Sequence, residues 1–165
     1  MSHGSHVDYL LKIDGIEGES NDHKHKGAIQ VQSWNWRSNQ QGSFAYGGGG
    51  GAGKVEFHDI DFVAFINKAS PKLSLACACG QHIPKAVLIC RKAGGQHEEF
   101  SKWTMSNVLV SCYRTGGAEY GQLVPVDNVS LHFDQLEVEY REQKHNGTLG
   151  PPVKAGWNVK QNKAV

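Results

Sequence analysis

The sequence lacks several features that would each indicate a class of function. Its 165 residues carry 17 lysines and arginines against 16 aspartates and glutamates, a net charge of +1, which does not favour a phosphate backbone or an anionic membrane as the main partner. No apolar run approaches the roughly 20 residues that cross a bilayer, and the opening MSHGSHVDYL has neither the basic region nor the apolar core of a signal peptide. We expect a chain that is made and folded in the cytosol, with neither nucleic acid nor membrane as a partner.

Cysteine is scarce as well, and its spacing does not favour a metal site. Cys77, Cys79 and His82 lie close together, but a structural zinc site needs C-x₂₋₄-C spacing and a second pair of ligands, and the sequence offers neither. Disulfides are not expected, because thiols stay reduced in the cytosol. We predict that the cysteines are small, buried or half-buried side chains, and that the protein has no metal site and no cofactor.

No pattern of residues supports catalysis. Glu137 and Glu139 alternate with apolar residues along a predicted strand, which is typical of a solvated face rather than of paired catalytic carboxylates. His23 and His25 stand in a turn beside Asp22, which we interpret as a solvated loop rather than as a set of metal ligands. We predict a protein without enzymatic activity.

One string, GGGGAGK from Gly48 to Lys54, matches the opening of a phosphate-binding P-loop. A P-loop continues with a serine or threonine that holds Mg²⁺, whereas the next residue here is Val55. It also leads into a helix, but the residues after Lys54 alternate between polar and apolar as in a strand. A nucleotide site is therefore disfavoured.

Apolar residues mostly alternate as in β-strands, and the alternation changes phase within four of these strands. Ile29 and Val31 occupy odd positions, while Trp34 and Trp36 occupy even ones. The same change occurs between residues 55 and 62, between 103 and 110, and between 129 and 140. Strands that bend at a corner, leave one sheet and join another produce such changes. Strands that are covered on both faces, one by the core and one by another subunit, would produce them too.

These strands predict a mainly β protein, an antiparallel two-sheet β-barrel, since no regular βαβ alternation appears. One short α-helix is expected to start at the N-cap Ser70, with Pro71 at its first position, and to stop at Gly80, packed on the side of the barrel. The length fits a single domain at residues 7–165, preceded by a disordered leader at residues 1–6.

The glycine-rich segment that contains the P-loop-like string needs another explanation. Glycine loses more entropy than other residues when it becomes ordered, so a long loop of this composition is ordered only by contact with something else. Phe44 and Tyr46 at its start are aromatic residues on an otherwise polar loop, and such residues are enriched at interfaces. We favour an extended arm that docks on a neighbouring molecule over a free hairpin tip.

Several distinctive segments occur in an order and at intervals that resemble the Hcp (hemolysin-coregulated protein) family of the bacterial type VI secretion system. The resemblance runs from about Val7 to Asn162 and is carried by KIDGIEGES, His25, IQVQSWNW, GGGGGAGKVEFHDIDF, SPKLSLACACG, CRKAGG and GWNVKQN. It implies a two-sheet barrel with one helix on its side and an extended hairpin loop at the glycine-rich segment.

The resemblance also implies an assembly. Hexameric rings with a wide hole would stack into a tube, with a spike protein at its tip, and a contractile sheath would drive the tube out of the cell. The protein would be cytoplasmic when assembled and then secreted without a signal peptide. Small effector proteins would bind in the hole, so the chain would be a structural subunit and an export chaperone.

The site residues that we expect belong to two surfaces. The resemblance places a ring-stacking loop at Ser43, Phe44, Tyr46, Gly47, Gly48, Gly49, Gly50, Gly51 and Gly53. Asn35, which stands between Trp34 and Trp36, is expected to project opposite to these two rings and to face the hole. A monomeric ligand-binding β-barrel is the alternative that the residues leave open.

Overall fold

Residues 6–40, 54–93, 96–120 and 124–165 are described by the structure, a computed structural model. The predicted leader, apart from His6, and the predicted stacking loop lie outside these ranges. The described ranges contain the strands β1 (Val7–Ile13), β2 (Ile29–Val31), β3 (Ser33–Asn35), β4 (Ser38–Asn39), β5 (Glu56–Phe57), β6 (Ile60–Phe65), β7 (Ile83–Lys92), β8 (Glu99–Gly116), β9 (Val126–Gln143), β10 (Leu149–Asn158) and β11 (Lys163–Ala164), and the helix α1 (Ser70–Cys79).

All strand pairs are antiparallel, and the pairings run round a closed circuit. β1 pairs with β2 and β7, β7 with β8, β8 with β9, β9 with β6, and β6 with β3. The circuit closes because a single residue, Gln32, separates β2 from β3. β10 and β11 extend the sheet beyond β9, and β4 pairs separately with β5. The mainly β, two-sheet barrel predicted from the sequence is confirmed.

The changes of phase in the sequence fall where strands pass from one sheet to the other. β2 and β3 are the two halves of one such segment, since the first pairs with β1 and the second with β6. In β8 and β9 the alternation of apolar residues changes phase at paired positions, between the pair Ser106–Gln135 and the pair Val108–Phe133. Asn107 stands at this level with a φ of 54°, a left-handed backbone that asparagine tolerates better than most residues. These strands therefore bend at corners.

One hydrophobic core fills the barrel. It includes Phe62, Leu11, Met105 and Leu131, which come from four different strands. A group of edge-to-face aromatic rings packs against it, with neighbouring centroids 5.1 to 6.4 Å apart: Trp34, Trp36, Phe57, Trp103 and Phe133. These rings attach the β4–β5 pair to one end of the barrel.

The helix α1 ends where the sequence predicts, at Gly80. This glycine has a φ of 62°, the left-handed conformation that stops many helices. The predicted N-cap is wrong, because the N-cap position is Ala69 and Ser70 already lies in the helix. Asn67 supplies the local bond instead, since its Oδ1 accepts from the backbone N–H of Ala69 at 2.9 Å. In the described ranges no helix combines the length and the apolar character needed to cross a membrane.

The hydroxyl of Ser70 holds α1 against the barrel. It donates to one carboxylate oxygen of the fully buried Asp127, and the other carboxylate oxygen accepts from the hydroxyl of Tyr113 at 2.9 Å. Burial, and then the hydrogen bond to Asp127, raises the pKa of Tyr113. Asp127 thus joins the start of α1 to β8 and β9.

Candidate functional site

A broad, mostly polar surface lies on the outside of the sheet that β3 and β6 form with the adjoining halves of β9 and β8. Side chains alternate along each strand, so Trp34 and Phe62 pack on the core while Asn35 and Asp61 point outward. We call this surface the polar face. Its members are Ser33, Asn35, Asp59, Asp61, Ser111, Arg114, Asn128, Ser130 and His132.

Hydrogen bonds between neighbouring strands fix the side chains of the polar face. Ser111 Oγ donates to Asp59 Oδ2 at 2.5 Å, and His132 Nδ1 lies 2.8 Å from Asp59 Oδ1. Ser130 Oγ donates to Asp61 Oδ1 at 2.5 Å. The carboxylates are therefore held in place before any partner binds, which reduces the entropy that binding would cost.

A bulge in β8 supplies part of the polar face. The register between β8 and β9 shifts between Val110 and Cys112. As a result Ser111 and Cys112 both lie on the outer side, while Val110 and Tyr113 pack on the core. Strict alternation would have turned one of the two outer residues inward.

Asn35 lies in the middle of the polar face. It is exposed between the half-buried Trp34 and Trp36, and it is in register with Asp61 of β6. Two shallow recesses of about 530 and 300 Å³ meet at Asn35, the first of which extends to His132. Both are lined mainly by hydrogen-bonding groups, which suits the polar surface of a protein better than an apolar small molecule.

The polar groups around Asp59 do not form a Ser–His–Asp triad. Ser111 and His132 both bond to the carboxylate of Asp59, so the imidazole is not placed between the serine and the carboxylate. Among the described residues, no group of three or more His, Cys, Asp or Glu side chains could hold a metal ion. Elsewhere, burial raises the pKa of the Cys90 thiol to about 12, which keeps it protonated and unreactive.

The P-loop-like string ends beside a strand rather than a helix. Lys54 is its last residue and the first one that the structure describes after the glycine-rich segment, and β5 begins two residues later at Glu56. The free N–H groups and the dipole of a helix N-terminus, which bind phosphate in a P-loop, are therefore not supplied there. The rest of the string lies outside the described ranges.

A second group of charged residues fixes the loop between β1 and β2. The buried Arg91 places Nη2 2.7 Å from Asp22 Oδ2 and Nε 3.5 Å from Asp8 Oδ2. His25, predicted to lie in a solvated loop, is buried and bonds through Nε2 to Glu99, so that prediction is wrong. These contacts join the loop to β1, β7 and β8.

We expect Asp22→Asn to lower the free energy of unfolding by about 2 kcal/mol at neutral pH. The free energy of unfolding of the variant should also fall less as the pH is lowered. The hydrogen bond from Arg91, assisted by the backbone N–H groups of Lys24 and His25, holds the pKa of Asp22 well below its usual range. A carboxyl whose pKa is lowered by folding contributes stability above its ordinary pKa, and that stability is lost as the pH falls below it. Urea unfolding at several pH values between roughly 2 and 7 measures the effect.

The exposed Asp14 offers a matched control for this measurement, because Asp14→Asn should change stability by less than about 0.5 kcal/mol. If the Asp22→Asn variant lost stability in acid as steeply as the parent protein, Arg91 would not depress the pKa of Asp22 as described.

An apolar strip extends beyond the barrel along β9 and β10. We define it as Val138, Tyr140, Val153 and Ala155, which lie on the side of the sheet that faces the core at Leu136. Tyr140 and Val153 face each other in register and are 51% and 69% exposed. Pro151 and Pro152 lack the N–H that an added strand would need, so the strip is suited to being covered by side chains rather than by strand pairing at the edge.

The fold and these surfaces together define a class of protein. The described residues form a β-barrel that presents a preorganised polar face and an uncovered apolar strip. Fixed polar groups and exposed apolar side chains are features of surfaces that contact other macromolecules.

Comparison with known proteins identifies the family within this class. Residues 10–140 match the family model for the type VI secretion system effector Hcp. Protein hcp1 of Pseudomonas aeruginosa is 48% identical over 158 residues, which cover 94% of this chain and 97% of that protein. Hcp1 from Salmonella typhimurium has a TM-score of 0.79 at 36% identity, covering 96% of this chain and 99% of that one. A further solved type six secretion system protein has a TM-score of 0.91 at 28% identity, covering 97% of this chain and 100% of that one.

The chain therefore belongs to the Hcp family, whose members are secreted tube proteins of type VI secretion. The resemblance seen in the sequence segments is confirmed. Asn35 lies on the polar face, while the predicted stacking loop lies outside the described residues, and the roles of both stay predictions.

The sequence alone does not predict which residues surround Asn35 on the polar face. The only signal was alternation, since Asp59 and Asp61 alternate with apolar residues before and within β6, and Ser130 and His132 do so in β9. Alternation shows that a residue is exposed, but it does not show which strands are neighbours.

Proposed function

We propose that this protein is the subunit of hexameric rings that stack into the inner tube of a type VI secretion system and carry small effector proteins in their holes. The observation that supports the proposal is the polar face. There, four neighbouring strands present fixed hydrogen-bonding groups on the side opposite to the hydrophobic core. A wall of this kind offers a cargo protein many weak polar contacts that water can replace, which permits both retention and release.

The apolar strip is the surface that meets the next subunit in the ring. A ring of identical subunits uses heterologous contacts, in which one surface meets a different surface on the next copy. Tyr140 and Val153 are large, exposed and on the side of β9 and β10 that continues the core, so covering them would extend the core across the contact.

The remaining parts of the proposal rest on membership of the family. Ser43, Phe44, Tyr46 and the glycines at 47–51 and 53 form the loop that contacts the adjoining ring. The contractile sheath surrounds the tube, and the spike protein lies at its tip. The protein assembles in the cytoplasm, leaves the cell through this system, protects its cargo as a chaperone and has no catalytic role of its own.

Substitution of Asn35 tests the role of the polar face. We expect Asn35→Gln to weaken binding of a small effector of the same secretion system by about tenfold or more, since a lost polar contact recurs in every subunit that lines the hole. The measurement is calorimetric titration of purified rings with the effector.

Asn146→Gln is the matched control, because Asn146 is an exposed asparagine in the turn between β9 and β10, away from the polar face. Both variants should keep the native mass of the parent protein. Effector affinities that are equal in the parent and in the Asn35→Gln variant, for every effector tested, would remove Asn35 from the cargo surface.

A further inference from the structure

Two residues form the centre of the polar face. Asn35 and Asp61 line both of its recesses, whereas each of the other lining residues borders only one of them. They are paired in register on β3 and β6, which places their Cβ atoms about 5 Å apart. A group that binds where the recesses meet therefore contacts both side chains.

The carboxylate of Asp61 is held in place and still has an oxygen to offer. Ser130 Oγ donates to Oδ1 at 2.5 Å, while Oδ2 accepts no side-chain hydrogen bond from the residues that the structure describes. Asp59 differs, because one of its oxygens accepts from Ser111 and the other contacts His132. Asp61 is also exposed, so its Oδ2 is the carboxylate oxygen of the polar face that a partner can reach.

The arginines of this surface stand at its margins. Arg37 borders only the recess of about 530 Å³ and Arg114 only the recess of about 300 Å³. Each is about 7 Å along the strands from the level of Asp61, in opposite directions. Both are exposed, and neither forms a salt bridge with another described residue, so an anion would have to order two long side chains. The fixed acceptors at the centre favour a cation instead.

A guanidinium group fits this centre better than an ammonium group. It is planar and donates N–H bonds in a fixed fork, whereas an ammonium is a compact point charge. Asn35 and Asp61 project from neighbouring strands on the same side of the sheet. One part of the fork can therefore donate to Asp61 Oδ2 while another donates to the amide oxygen of Asn35.

We propose that the polar face selects cargo proteins that expose an arginine, whose guanidinium binds Asp61 and Asn35 together. This inference rests on the proposed function, and it adds the chemistry of the cargo that the hole receives. The pair recurs in every subunit of a ring, so a cargo with several exposed arginines gains from binding at more than one of them.

Labelled peptides test the chemistry of the contact. A glycine–serine peptide that carries arginines is compared with versions that carry citrulline, lysine or glutamate at the same positions. Fluorescence anisotropy at low ionic strength measures the affinity of the purified full-length protein for each peptide. We expect the arginine peptide to bind about tenfold or more tightly than the citrulline peptide, which has the same shape without the charge. The lysine and glutamate peptides should also bind more weakly than the arginine peptide.

A single substitution locates the contact. Asp61→Asn should lower the affinity for the arginine peptide by about tenfold or more, and its amide oxygen can still accept from Ser130, which preserves the local structure. Asp14→Asn is the matched control, because Asp14 is an exposed aspartate that follows β1, in the other sheet of the barrel. This control should bind the arginine peptide as the parent protein does.

Three results would overturn the inference. Equal affinities of the parent and the Asp61→Asn variant for the arginine peptide would remove Asp61 from the contact. Tighter binding of the glutamate peptide would assign the surface to anions held by Arg37 and Arg114, and equal binding of the lysine peptide would show charge attraction without the forked contact. The native mass of the same samples reports separately on the proposed function, since a monomer would contradict the ring whatever the peptides show.

Discussion

Replacing Asp127 by alanine is expected to lower the free energy of unfolding by about 3 kcal/mol, the largest effect on stability that we predict. The carboxylate accepts hydrogen bonds from the hydroxyls of Ser70 and Tyr113 inside the protein. Without it, two hydroxyl groups lose their partner away from water, at about 1 to 3 kcal/mol each when nothing replaces the bond. The start of α1 also loses its attachment to β8 and β9.

Urea unfolding at a fixed subunit concentration measures this effect, since any assembly makes stability depend on concentration. Tyr113→Phe removes one of the two bonds and should cost about 1 kcal/mol. Ser111→Ala removes a hydroxyl that bonds the half-exposed carboxylate of Asp59 on the polar face, so its cost should stay within about 0.5 kcal/mol. An Asp127→Ala variant no less stable than the Ser111→Ala variant would show that Asp127 does not hold the helix.

If the chain forms the proposed hexameric rings, replacing Val153 by aspartate is expected to convert them into monomers. Each contact would lose about 2 kcal/mol of apolar burial and would place a carboxylate where Tyr140 and its neighbours are covered. This loss weakens every contact by about thirtyfold or more, and it recurs at each contact around the ring. Light scattering at micromolar subunit concentration measures the change in native mass.

Leu75→Asp is the matched control for this substitution. Leu75 and Val153 have similar exposure, 63% and 69%, but Leu75 lies on α1 and outside the apolar strip. Both variants should keep the far-ultraviolet circular dichroism of the parent protein, because neither side chain is buried within the subunit. A Val153→Asp protein that retained the mass of the parent would exclude the apolar strip from the ring contact.

The architecture of the barrel could be predicted because its corners leave a local trace in the sequence. A strand that changes sheets changes the parity of its apolar residues, and this change is visible between Val31 and Trp34 and again around Asn107. The stop of α1 at Gly80 was predictable for a similar reason, since a left-handed residue after a helix favours glycine.

The helix start and the buried charges could not be predicted because they depend on residues far apart in the sequence. Ser70 has the composition of an N-cap, yet its hydroxyl bonds to Asp127 of β9. The carboxylate closest to Arg91 belongs to Asp22, in the loop between β1 and β2 and far from β7 in the sequence. Arg91 follows the apolar run VLIC in β7, and a charged residue at the end of such a run was the one available sign of a buried ion pair.

At the candidate site, the sequence predicts the exposure of Asn35 but not which residues surround it on the polar face. Alternation placed Asn35 opposite to Trp34 and Trp36, and the structure has it exposed there. Its neighbours come from β6, β8 and β9, and their arrangement depends on strand order and on the bulge at Ser111. The alternation of residues along the sequence indicates neither the strand order nor the position of the bulge. The polar face could therefore be recognised only from the structure.

The native mass of the purified protein, measured by light scattering and followed by negative-stain imaging of the same peak, tests the proposed hexameric ring. We expect a mass near 109 kDa, six times the 18.1 kDa subunit, with annular particles. A monomer at tens of micromolar would contradict the ring, because the apolar strip would then have no partner in copies of this chain, and a monomeric ligand-binding barrel would be the better description.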